Sequence, residues 1–86
     1  MAKLPKEKDL ADSLAAAGRA HHQYEQTVLN GIRNAGWSGF YTAFIVGRLG
    51  DFATASELSR LSEEVTDPLD WSGAAARDII ASLSNQ

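Results

Sequence analysis

The chain has 86 residues, enough for one domain but not for two. It contains no cysteine, which excludes a disulfide framework and a thiolate metal site. The net charge is −3, and its negative part lies in residues 51–86, where seven acidic residues outnumber two basic ones; this bias is opposite to the basic stripe typical of nucleic-acid binding.

The sequence gives no sign of membrane insertion or export. Its longest uncharged stretch, residues 34–47, is shorter than the roughly 18 to 20 apolar residues that a membrane span needs. The basic N-terminus is not followed by the apolar segment of a signal peptide. We therefore expect a soluble, cytoplasmic protein without membrane contact.

The first predicted helix covers residues 6–35, after a flexible segment of residues 1–5. Pro5 suits the start of a helix and Gly36 suits its end, whereas Gly18 or Gly31 could break or bend it. Spacings of three and four residues predict one apolar seam along this helix. The seam consists of Leu10, Leu14, Ala17, His21, Tyr24 and Val28.

The second predicted element, residues 40–46, is rich in aromatic and β-branched residues, which would also suit a buried strand. Ser38 as an N-cap and Gly50 as a terminator favour a helix. Because this helix is apolar nearly all round, we expect it to be central and buried. A stripe of small residues should let another helix of the chain approach closely. The stripe consists of Gly39, Ala43 and Gly47.

Two further helices follow. Thr54 and Glu57 match a capping box at the start of the third, and the residue before Pro68 should end it. The fourth should begin within residues 70–73 and reach about residue 83, with residues 84–86 frayed. The prediction is an all-α fold: a single domain of residues 1–86, a compact bundle of about four helices with a long N-terminal helix and a short buried central helix.

The tripeptide Trp-Ser-Gly occurs at residues 37–39 and again at residues 71–73. One interpretation is that both copies are helix starts, with serine as the cap and tryptophan packed beneath it. The other is a duplicated helical hairpin, but the helices that precede the two copies match poorly at this offset.

No residue pattern predicts catalysis. His21, His22 and Glu25 offer at most two metal ligands on one helical face, because adjacent residues point about 100° apart. A nucleophile elbow and a phosphate loop are both missing from the sequence. Three serines of the third helix should form a polar stripe facing solvent, namely Ser56, Ser59 and Ser62. We expect no enzyme activity, no cofactor and no metal.

The remaining function is binding to another protein, as an adaptor, a subunit, an inhibitor or another regulator, or to a second copy. A helix of about 30 residues would span about 45 Å, longer than a compact domain of about 30 Å, so part of its seam should be free for a partner. The predicted partner-binding residues are Leu10, Leu14, His21, Tyr24 and Val28. The alternative is a helix-turn-helix DNA-binding regulator that uses residues 54–83, with Arg77 and Asp78 in its recognition helix. The acidic residues of this segment disfavour the DNA-binding alternative, and we expect no nucleic-acid partner.

Overall fold

The computed structural model of the protein describes residues 3–28, 36–67 and 69–84, and every regular element in these ranges is a helix. The prediction of an all-α bundle is therefore confirmed. The four helices are α1 (Glu7–Thr27), α2 (Trp37–Leu49), α3 (Ala55–Glu64) and α4 (Trp71–Ser84).

The helices form a ring, in which α1 packs against α2 and α4, and α3 packs against the same two neighbours. Each helix contributes apolar side chains to one shared core, and the short α2–α3 connection adds two more. The core consists of Leu10, Leu14, Ile45, Phe52, Ala53, Leu58, Leu61, Ala75, Ala76 and Ile79. In the ranges that the structure describes, no helix is both long enough and apolar enough to cross a membrane.

α1 is the longest helix, but it ends at Thr27, so the end predicted near residue 35 is wrong. Thr27 and Val28 are adjacent β-branched residues, which lowers the local helix preference. The helix is continuous through Gly18, whereas the second predicted break, at Gly31, lies outside the described residues. Its 21 residues span about 32 Å at 1.5 Å per residue, within the 40 Å long axis of the molecule. α1 is therefore shorter than the helix of about 45 Å that the sequence predicts.

The start of α2 differs from the prediction. Gly36 occupies the N-cap position without a side-chain cap, and Ser38 lies inside the helix and is buried. Placing Ser38 at the cap was wrong because it faces the core together with Thr42 and Ile45. The end of α2 is as predicted: Gly50 has φ of 92°, a left-handed conformation that glycine adopts without strain.

The small residues of α2 face outward. Gly39, Ala43 and Gly47 are exposed, and a Cβ atom built at either glycine meets no atom of another described element within 4 Å. The predicted contact of this stripe with another helix of the chain is therefore wrong. The opposite side of α2 carries Ile45 and the half-buried Tyr41, whose larger side chains remove more apolar surface from water when they face the core.

α3 begins with the predicted capping box. The backbone N–H of Glu57 donates to Thr54 Oγ1 at 3.2 Å, and the backbone N–H of Thr54 reaches Glu57 Oε1 at 3.5 Å. The predicted serine stripe is wrong beyond its exposed first member, since Ser62 is fully buried and Ser59 is half-buried. Ser62 is buried because it lies one helical turn after Leu58 on the core face, and Ser59, three residues before Ser62, lies at the edge of that face against Thr42 of α2.

α4 starts at Trp71, within the predicted range. Two aspartates organise the chain before it: Asp67 Oδ1 accepts from the N–H groups of Leu69 (2.9 Å) and Asp70 (3.1 Å), and Asp70 Oδ1 accepts from the N–H of Gly73 (3.3 Å). α4 includes Ser84, which was predicted to fray, and residues 85 and 86 lie outside the described ranges.

Candidate interaction surface

Six aromatic or imidazole rings from α1, α2 and α4 form a continuous cluster on one side of the bundle. Its tryptophan half is a triad of mutually perpendicular rings, with centroid distances of 5.5 Å (Trp37–Tyr41), 5.7 Å (Trp37–Trp71) and 5.4 Å (Tyr41–Trp71). Edge-to-face contacts of this kind are favourable beyond the area they bury. The aromatic cluster consists of His21, Tyr24, Trp37, Phe40, Tyr41 and Trp71.

The triad gives a packing reason for the repeated Trp-Ser-Gly. Both tripeptides begin a helix at the tryptophan, Trp37 for α2 and Trp71 for α4, and the two indole rings meet. Neither helix follows the predicted use of serine as a cap: Gly36 precedes α2, and Asp70 bonds the first turn of α4. The hairpin-duplication hypothesis stays untested.

His21 forms the centre of the other half of the cluster. It is 7% exposed, its ring lies 5.0 Å from Phe40 and 5.5 Å from Tyr41, and its Nε2 is 4.0 Å from a carboxylate oxygen of Glu25. His22 points into solvent. Among the described residues, no three histidine or acidic side chains are grouped closely enough to hold a metal ion. The ring contacts of His21 with Phe40 and Tyr41 join α1 to α2.

Tyr41 contacts the rings of His21, Trp37 and Trp71 within the cluster. Burial, and secondarily the negative charge of Glu25, raises the pKa of the Tyr41 phenol above its ordinary value of 10.0. The phenol therefore stays neutral at physiological pH and acts as a packing group. Its contacts with Trp37, Trp71 and His21 link three helices.

The residues predicted to bind a partner separate into two groups. Leu10, Leu14 and His21 are buried at 0%, 1% and 7% exposure, so their side chains contact this chain's own core. Tyr24 is half-buried and Val28 is 60% exposed, so these two lie at the surface. Phe40, which the residue spacing did not mark as a surface residue, also lies here: its ring is 5.5 Å from that of Tyr24. Because α2 is apolar nearly all round, its sequence alone does not indicate which side faces outward.

The outer side of α2 continues the surface that Tyr24 and Val28 form. Phe40 and Phe44 are half-buried, and the exposed small residues lie beside them. Arg48 is the only charged residue of α2, and its guanidinium lies 5.7 Å from the centre of the Phe44 ring. We call this surface the outer α2 face; its residues are Gly39, Phe40, Ala43, Phe44 and Gly47.

The alternative function, DNA binding through residues 54–83, depends on the side chains that this segment exposes. Residues 74–76 of its recognition helix are buried, which leaves Arg77 and Asp78 on the exposed side of the predicted contact segment. The C-terminal half of the chain, residues 51–86, has two basic residues, and each lies near a carboxylate of its own helix. Arg60 is 3.2 Å from Glu64, and Arg77 is 3.5 Å from Asp78. The seven acidic residues of this half still oppose binding to phosphates.

Comparison of the chain with protein-family models, with curated proteins and with solved structures gives no match.

Proposed function

We propose that this protein is a protein-interaction module of the cytoplasm, an adaptor, subunit, inhibitor or other regulator without catalytic activity, and that it binds through the outer α2 face together with Tyr24 and Val28. The observation that carries the proposal is a row of exposed and half-buried apolar residues that runs from α1 along the whole of α2. Contiguous apolar surface of this kind usually marks an interface.

The composition of α2 supports this proposal. A helix side that faces only water normally carries charged residues, whereas α2 has one charged residue among 13. Phe40, Phe44 and Tyr24 supply the aromatic anchors that dominate binding energy at many interfaces. A partner that covered them would remove from water an area that the chain's own helices leave open.

The glycines of this face support close approach by a partner. A glycine inside a helix costs about 1 kcal/mol relative to alanine, and among the described residues no neighbour requires Gly39 or Gly47 to lack a side chain. Contact with the backbone of a partner helix would give both positions a reason to remain small.

The proposal changes the residues first assigned to the interface. Leu10, Leu14 and His21 hold α1 in the core, and burial removes them from any surface that a partner can touch. Tyr24 and Val28 remain, because Tyr24 is half-buried and Val28 is exposed.

The test is co-purification from host cells with the parent chain and with Ala43→Arg. Ala43 is exposed, so arginine should leave the melting temperature within a few degrees while blocking the face. Ala81→Arg, at an exposed position of α4, adds the same charge elsewhere. A protein that is retained by the parent and by Ala81→Arg but lost from Ala43→Arg supports the proposal. An unchanged set of bound proteins with Ala43→Arg contradicts it.

A further inference from the structure

We propose that α3 is a hinged lid over the core, which opens as one unit while α1, α2 and α4 stay packed together. The lid lies against the inner sides of α2 and α4 and is distinct from the outer α2 face. The contacts that hold α3 in the bundle differ in kind from those that join the other three helices.

The aromatic cluster joins α1, α2 and α4 without α3. Tyr41 of α2 contacts His21 of α1 and Trp71 of α4, so a single side chain links all three helices. α3 contains no aromatic residue. These ring contacts therefore stay in place when α3 moves, and the other three helices keep a packing network of their own.

The seat of α3 is partly polar. Ser59 Oγ and Thr42 Oγ1 of α2 lie 3.1 Å apart and share a hydrogen bond. Ser62, one turn further along α3, is fully buried, and its hydroxyl group has no hydrogen-bond partner among the described residues. A buried hydroxyl group without a partner raises the free energy of the closed state, whereas water satisfies it in the open state. Opening of α3 therefore relieves a penalty that the closed bundle carries.

The two ends of α3 are held differently. Phe52 and Ala53, just before the capping box, are buried and belong to the core. At the other end Val65 is half-buried, and residues 66, 67, 69 and 70 are all exposed. The N-terminal end of α3 is therefore the hinge, and its C-terminal end is the one that moves away from the bundle.

Opening changes which apolar surface meets water. Leu58 and Leu61 leave the core, and the core residues of α2 and α4 that α3 covers become accessible. A helix of ten residues is marginal in water without tertiary contacts, so the released segment also loses helical structure. The lid thus controls access to apolar surface that the closed bundle hides.

Native-state hydrogen exchange of the full chain, followed by NMR, measures the opening. We expect the helical amides of residues 58–62 to share one opening free energy and to be at least about tenfold less protected than the core-facing amides of α1 and α4. Low concentrations of urea should reduce their protection together, because opening exposes surface. Equal protection of α3 and of the other helices would overturn the lid, since α3 would then open only when the whole chain unfolds.

A reversible lock separates opening of the whole helix from fraying. The double variant Thr42→Cys/Ser59→Cys places thiols where the two hydroxyl groups meet, and the chain has no cysteine of its own. With the disulfide formed, the amides of α3 should exchange only through global unfolding. The reduced form of the same variant is the control and should keep the faster exchange. If the oxidised form exchanges as fast as the reduced form, fraying explains the exchange and the lid is wrong.

Ser62→Ala tests the cause of the opening, whether or not that disulfide forms. Removal of the unpartnered hydroxyl group should raise the protection of the α3 amides about fivefold over Ser56→Ala, which makes the same change at an exposed position. Equal protection in these two variants would overturn the buried hydroxyl group as the reason that α3 opens.

Discussion

The hydroxyl group of Tyr41 occupies the space into which a side chain at Gly18 would extend: a Cβ atom built on Gly18 would lie 3.0 Å from Tyr41 Oη. A glycine inside a helix normally lowers stability, but here it lets the phenol of α2 lie against the backbone of α1. The close helix approach that the sequence analysis assigned to α2 is thus present between α1 and α2, with the glycine on α1.

This relationship predicts that the effect of Gly18→Ala depends on the residue at position 41. In a Tyr41→Phe background the nearest atom to the new methyl group would be Cζ at 3.8 Å, an ordinary contact. We expect Gly18→Ala to stabilise that background by up to about 1 kcal/mol and to stabilise the parent clearly less, or to destabilise it. Chemical denaturation of the four variants measures the coupling.

Gly47→Ala is the control for this cycle, because it adds a methyl group to an open helical position. It should have the same effect with Tyr41 and with phenylalanine at position 41. Equal effects of Gly18→Ala in both backgrounds would show that the hydroxyl group does not restrict position 18.

The helices were predictable because their signals are local. The capping box of Thr54 and Glu57, the terminating glycine at position 50 and the start of α4 each depend on residues within one turn of the chain. The side of α2 that faces inward was not predictable, since a helix that is apolar nearly all round has no sequence signal for its buried side. That choice depends on which neighbours the ring of helices supplies.

The same limit applies to the site. Spacing identified Leu10, Leu14 and Tyr24 as one seam of α1, but it could not show that α2 and α4 cover the first two and leave the third at the surface. Leu10 and Leu14 were assigned to the interface because α1 was predicted to be longer than it is. With an end at Thr27 instead of residue 35, the helix is about a third shorter than predicted, and of the seam only Tyr24 and Val28 in its last turns are partly or largely exposed.

The serines of α3 should respond differently to removal of their hydroxyl groups. Ser59 Oγ lies 3.1 Å from Thr42 Oγ1, so Ser59→Ala breaks a bond at the α2–α3 contact and should cost about 1 kcal/mol. Ser62 Oγ is buried and has no hydrogen-bond partner among the described residues. Ser62→Ala should therefore be neutral or stabilising by roughly 1 kcal/mol, because it removes an unsatisfied polar group.

Ser56→Ala supplies the baseline for both variants, since it is exposed on the same helix and carries the same gain in helix propensity. The three free energies of unfolding are compared under identical conditions. A larger loss for Ser62→Ala than for Ser59→Ala would mean that the Ser62 hydroxyl group makes a stabilising bond.

Asp67 should make stability depend on pH in the acid range. Hydrogen bonds from the backbone N–H groups of Leu69 and Asp70 lower the pKa of its carboxyl group below the ordinary value of 3.8. A lowered pKa in the folded state stabilises the fold above the unfolded-state pKa, and this contribution is lost as pH falls through the folded-state pKa. The melting temperature of Asp67→Asn should thus lie below that of the parent at neutral pH and converge with it only as pH falls through the lowered folded-state pKa of Asp67.

Glu63→Gln, at an exposed position of α3, removes the same charge away from the turn. It should not reproduce the difference at neutral pH. A constant gap between the parent and Asp67→Asn down to the lowest pH at which both fold would mean that the carboxylate charge is not the stabilising feature.

Leu14 and Val28 lie on the same predicted seam and should give opposite results when truncated. Leu14 is 1% exposed within the core, so Leu14→Ala removes buried methyl groups and leaves a cavity, which typically costs about 2 to 5 kcal/mol. In a domain of this size such a loss is a large part of the total stability, and Leu14→Asp should unfold the chain. Val28 is 60% exposed at the end of α1, so Val28→Ala should change the free energy of unfolding by less than about 0.5 kcal/mol.

Association should follow the reverse order for the variants that remain folded. Val28 borders Tyr24, which contacts Phe40 of the outer α2 face, and loss of either side chain removes area from the proposed interface. Tyr24→Ala and Val28→Ala should therefore weaken co-purification of a protein that the parent chain retains, while circular dichroism shows a helical fold, because both change the surface more than the core. If Val28→Ala unfolds the protein as Leu14→Ala is expected to do, the C-terminal end of α1 belongs to the core, and the surface assigned to Tyr24 and Val28 is wrong.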